Sequence, residues 1–115
     1  MHILSKLFST GGATAQLTAS EYKSRFVDSN TPHLLVDVRS PAEFADGHLA
    51  GARNIPLQEI EQRLRELPKE KEIVLYCRSG NRSGMALRML QSAGYQNVYN
   101  AGSLNELARQ GLQVN

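Results

Sequence analysis

"IVLYCRSGNRSGMALRML" (Ile73–Leu90) begins as an apolar, β-branched run, ends as a helix-period segment, and carries a cysteine at the join. Read with Glu72, the run "EIVLYC" predicts a buried central strand ending at Cys77. "RSGMALRMLQSAG" predicts a helix with Ala86, Leu87, Leu90 and Ala93 inward and Gly94 as its stop. Between them lies "RSGNR", Arg78 to Arg82, with Gly80 at its centre. Glycine lets such a loop turn with positive φ, so that successive N–H groups point inward. The following helix adds free N-terminal amides and the positive end of its dipole. Arg78 and Arg82 add formal charge. Together these features favour an anion at the centre of the loop. The nearest ionisable atom is the Cys77 sulfur, so its pKa is expected to fall below the ordinary thiol range.

The same alternation of short apolar runs and helix-period segments extends outward. "TASE" at Thr18–Glu21 is a capping box that starts a helix running to about Val27. "HLLVDV" (His33–Val38) reads as a buried strand, and "SPAEF" (Ser40–Phe44) as a short helical turn with Pro41 at its first position. Leu57, Ile60, Leu64 and Leu67 share one face of a helix before Pro68. "NVYN" (Asn97–Asn100) is a further short strand, and "SLNE" (Ser103–Glu106) caps a last helix. Strands alternating with helices imply an α/β fold whose parallel sheet is covered on both faces. Ligands of such sheets sit beyond the carboxyl ends of the strands, where Cys77 and Asp37 both fall.

The bulk numbers narrow the function classes. The chain has 115 residues, which suits one domain, and is 41% hydrophobic and 21% charged. Its formal net charge is +2 with acids and bases interleaved, and only 6% of residues are aromatic. There is no basic stripe with stacking aromatics to suggest nucleic acid, and no apolar run long enough to suggest a membrane partner. One cysteine excludes an internal disulfide and a cysteine-rich metal site. A free thiol suits a reducing compartment, so a cytoplasmic location is expected. "MHILSKLF" is too interrupted by Ser5 and Lys6 for a secretory core, despite the small residues of Ala13–Ala15. Residues 1–15 read as an N-terminal arm and residues 16–115 as the domain.

The loop "CRSGNR" resembles the active-site loop of rhodaneses, the thiosulfate sulfurtransferases. "LLVDVRSPAEFADGHLAGARNIP" is similar to that family's other signature region, through Asp37, Arg39, Glu43, Phe44, Gly47, His48, Gly51, Ala52 and Asn54. The resemblance runs from about Leu17 to Leu112. It implies a single-domain, three-layer α/β/α rhodanese fold with a five-stranded parallel sheet of order 3-2-4-5-1. It also implies that Cys77 is the nucleophile, taking sulfur from thiosulfate as a persulfide and passing it to cyanide or a thiol. Arg78, Ser79, Gly80, Asn81 and Arg82 would bind the anionic donor and the persulfide, with no metal or organic cofactor. Asp37 and Arg39 would support the site. Arg39, Glu43, Asn54 and His48 read as scaffold, and Asp37 as an anchor, because a thiolate nucleophile and a sulfite leaving group need no proton donor. The chain departs from the family after its last strand: where Gly-Gly and a Trp are common, it has Gly102–Ser103 and no Trp.

Three alternatives remain open. A persulfide carrier would hand sulfur to an acceptor protein, since with one cysteine the persulfide needs an external acceptor. Phosphatases and arsenate reductases of this fold place five residues between Cys and Arg, whereas Cys77 and Arg82 enclose four. A binding module without turnover would not need the cysteine.

Overall fold

A computed structural model describes residues 15–115. The expectations for the N-terminal arm therefore lie outside the described residues, apart from Ala15, which is buried.

Helix α1 (Ala19–Tyr22) starts on the predicted capping box: the Thr18 hydroxyl accepts from the Glu21 amide, and Glu21 accepts from the Thr18 amide. It continues as a π-helical turn, Lys23–Val27. Strand β1 (Leu34–Asp37) follows, then α2 (Pro41–Asp46), capped reciprocally by Ser40 and Glu43. A two-residue strand β2 (Arg53–Asn54) precedes a 3-10 segment, Leu57–Glu66. Strand β3 (Ile73–Cys77) leads into α3 (Asn81–Ser92), and β4 (Val98–Ser103) into α4 (Leu104–Ala108). No helix among the described residues is long and apolar enough to cross a membrane.

The sheet is parallel throughout, in the order β2-β1-β3-β4. Four of the five expected strands are present in the expected order. Among the described residues the remaining one, at the β4 edge, is a single parallel bridge between Gln16 and Asn100. Thr18 explains the correction: it caps α1 two residues later, so the chain turns helical before a second ladder bond can form.

All five residues of β3 are buried. Their alternation sends Ile73, Leu75 and Cys77 to one apolar layer, with Leu87 and Leu90 of α3 and Ile60 of the 3-10 segment. It sends Val74 and Tyr76 to the other, with Tyr22, Phe26 and Leu107. The sheet is thus covered on both faces, and Cys77 is aimed at the α3 side.

Two expectations are corrected in detail. Leu57–Glu66 is not one α-helix. At three residues per turn Leu57, Ile60 and Arg63 would stack on one face. Arg63 instead leaves helical geometry (φ −119°, ψ 26°), which shifts the phase by one residue and returns Leu64 and Leu67 to the inner side. Guanidinium bonds from Arg63 to Glu59 and Glu66 hold the break. Ala93, expected inward, is exposed because it caps α3 rather than continuing it. Gly94 then turns with φ +95°, and Tyr95 takes the inward place.

Candidate active site

Cys77 ends β3 at the carboxyl edge of the sheet, directly beside Ser103 of β4. Three donors converge on its sulfur. The Gly80 amide lies 3.0 Å from Sγ, the Ser83 amide 3.4 Å and the Ser83 hydroxyl 3.4 Å. Gly80 aims its amide by adopting φ +96°, and a Cβ there would meet the Gly102 backbone at 3.4 Å. Ser83 lies in the first turn of α3, where amides have no partner within the helix.

Burial pushes the Cys77 thiol up, since it disfavours the charged form. The Ser83 hydroxyl, then the Ser83, Gly80 and Ser79 amides, more than offset this, and the pKa lies below its ordinary value. A folded pKa below that of the unfolded chain adds stability that is fully present above the unfolded value. That stability is lost as pH falls through the folded one. Removing the Ser83 hydroxyl tests the assignment. Ser83→Ala should move the pH profile of iodoacetamide alkylation upward and slow the reaction at pH 7 roughly tenfold, the worth of one hydrogen bond to a charged group. An unmoved profile would leave the thiolate to the amides alone.

The loop residues fall in different surroundings. Arg78 is 79% exposed, with a guanidinium nitrogen 3.9 Å from Glu43. Ser79 is exposed, and its hydroxyl accepts from the Asn81 amide at 3.3 Å. Asn81 opens α3. Arg82 is engaged rather than free: Nη1 donates to Glu43 Oε1 at 2.8 Å and Nη2 to Oε2 at 3.0 Å.

Asp37 and Arg39 form a buried pair behind this edge. The Asp37 carboxylate accepts from the Arg39 amide, Nε and Nη2, and Nη2 also reaches the Gly47 carbonyl. The Asn54 side chain donates to the Asp37 and Arg39 carbonyls. The pair braces the segment that carries α2, and with it Glu43.

Two contributors escape sequence reasoning, Ser83 and Asn100, and a third, Glu43, read from the sequence as scaffold, holds the loop arginine. The buried Asn100 donates from Nδ2 to the Gly80 carbonyl at 3.2 Å and accepts from the Gly102 amide at 2.9 Å, tying the loop to β4. Ser83 carried a signal, being a small donor in the first turn of the helix that follows Cys77. Glu43 carried half of one, since its capping role uses Oε1 and leaves Oε2 free.

Comparison with known proteins completes the assignment. A model of the rhodanese-like domain matches residues 18–109. The chain belongs to the rhodanese-like family. It is 41% identical over 96 residues to a sulfurtransferase of Allochromatium vinosum, covering 83% of this chain and 90% of that one. It is 39% identical over 75 residues to the thiosulfate sulfurtransferase PspE of Escherichia coli, covering 64% of this chain and 72% of that one. The uncharacterized protein YqhL of Bacillus subtilis is 40% identical over 84 residues, which span 73% of this chain and 64% of YqhL. Among solved structures, the rhodanese-like domain of the Anabaena protein Alr3790 superposes with a TM-score of 0.78 at 28% identity. That match covers 88% of this chain and 78% of the other.

Proposed function

We propose that this rhodanese-like protein is a sulfurtransferase that moves sulfane sulfur from thiosulfate, through a persulfide on Cys77, to cyanide or a thiol. The observation that carries the reading is the convergence of three donors on the Cys77 sulfur. The thiolate attacks the outer sulfur of thiosulfate, the S–S bond of the donor breaks, and sulfite leaves with the electron pair. The negative charge now rests on the terminal sulfur of Cys77–S–S⁻. Cyanide or a thiolate then attacks that sulfur, and Cys77 leaves as the original thiolate. No proton need move in the cyanide cycle, which suits a site whose donors hold a charge. The names of the Allochromatium and E. coli relatives support the chemistry. The four-residue spacing of Cys77 and Arg82 suits sulfur better than a tetrahedral oxyanion. The free thiol suits a reducing compartment such as the cytoplasm.

Intact-mass measurement tests the proposal. Incubation with thiosulfate should add one sulfur atom to the protein, and cyanide should remove it with one equivalent of thiocyanate. An unchanged mass, or hydrolysis of aryl phosphates in place of sulfur uptake, would overturn the reading.

A further inference from the structure

We infer that Glu43 sets the charge this site accepts in its sulfur donor, penalising dianions and favouring singly charged organic sulfane donors such as thiosulfonates. The inference rests on the sulfur-transfer reading above. Arg82 would be a natural contact for a dianion, but both of its terminal nitrogens are bonded to Glu43, 39 positions away in sequence. The exposed Arg78 reaches the same carboxylate. Two guanidinium groups at the loop therefore share one fixed negative charge. The Arg39 guanidinium contributes no further net charge, being paired with Asp37.

The carboxylate is permanently ionised at neutral pH. The Arg82 hydrogen bonds, with help from the Ser40 amide, hold its pKa down to about 2. Arg82 lies in the same loop as Cys77, so the carboxylate it holds sits beside the loop that carries the sulfur. Glu43 also lines a cleft of about 230 Å³ beside the loop, with Arg39, Arg78, Leu104, Asn105 and a second carboxylate, Asp46, as the other walls. A donor carrying an organic group has both polar and apolar wall to lie against there.

Coulomb repulsion from one carboxylate is twice as large for a dianion as for a monoanion at the same distance. Expressed as rates, the penalty on a dianion is then the square of that on a monoanion. Glu43 thus does more than hold Arg82 in place. It takes up the charge that a second negative group on the donor would need.

The test compares thiosulfate, a dianion, with methanethiosulfonate, a monoanion that gives the same Cys77 persulfide and releases methanesulfinate. Thiocyanate formation is the readout for both. Glu43→Gln keeps an oxygen for the capping box and for Arg82 but removes the charge. It should raise kcat/KM about tenfold for thiosulfate and about threefold for methanethiosulfonate at low salt. The change should lie mainly in KM and shrink as ionic strength rises toward ~0.5 M. Glu43→Asp, which keeps the charge, should leave the ratio of the two donors at the wild-type value. Equal changes for both donors in Glu43→Gln, or a ratio altered as much by Asp as by Gln, would reduce Glu43 to a structural strut and overturn the inference while leaving sulfur transfer intact. No transfer from either donor in the wild type would remove both readings together.

Discussion

Replacing Cys77 by serine should abolish sulfur uptake from thiosulfate and lower thiocyanate formation by more than about a thousandfold, to the uncatalysed background. The substitution removes little else. Cys77 is buried, and serine is nearly the same size. The Gly80 amide and the Ser83 groups can donate to an oxygen as they do to the sulfur. What disappears is a thiol whose pKa lies below its ordinary value, and with it the ability to form an S–S bond with the donor. The fold should survive, as read by an unchanged thermal transition, so that loss of turnover reports chemistry alone. Turnover retained in Cys77→Ser would remove Cys77 from the mechanism. With no other cysteine in the chain, it would also end the persulfide scheme.

Arg39→Ala should destabilise the domain by about 3–5 kcal/mol, the cost of leaving a buried charge without its partner. Asp37 has no solvent exposure, and the substitution strips its carboxylate of the Nε and Nη2 donors, leaving the backbone amide at position 39 and the neighbouring Tyr76 hydroxyl. The Gly47 carbonyl loses its donor as well. Domains of this size have total stabilities of about 5–15 kcal/mol, so the change takes a large share of the whole. Urea denaturation with an unchanged slope would measure it. Replacing both partners by apolar residues of similar volume, Asp37→Leu with Arg39→Met, should cost less than Arg39→Ala alone, because no charge is stranded. A single-variant loss below about 1 kcal/mol would mean that water reaches Asp37 and that the pair is not the brace described above.

Much of this architecture was legible because its signals are local. Thr18 with Glu21, Ser40 with Glu43, and Ser103 each stand next to the helix they cap. The apolar run Ile73–Cys77 announces a strand buried on both faces, and Gly80 announces the turn after it. The segment Leu57–Glu66 misleads because its 3, 4, 3 spacing fits an α-helix as well as two 3-10 turns joined at a break. Guanidinium bonds decide between them, not periodicity. The candidate site was half legible for a related reason. Cys77 and its loop are contiguous, whereas Glu43 meets Arg82 across 39 positions and Asn100 meets Gly80 across 20. No local pattern encodes such meetings. The arginines alone suggest a site open to dianions, and only the folded arrangement reveals the carboxylate between them.

The tie between Asn100 and Gly80 also bears on the order in which the molecule can be made. Parallel strands cannot close on their sequence neighbours without a crossover, and β4 pairs only with a strand already laid down. Until β4 docks, the Gly80 carbonyl lacks its Asn100 donor and Cys77 lacks its neighbour Ser103. A nascent chain therefore carries Cys77 without this tie and this neighbour from the point where Cys77 is made until β4 is made. The loop is anchored in full only when β4 arrives, so a chain cut before that point holds Cys77, Gly80 and Ser83 without the strand that fixes the loop presenting them.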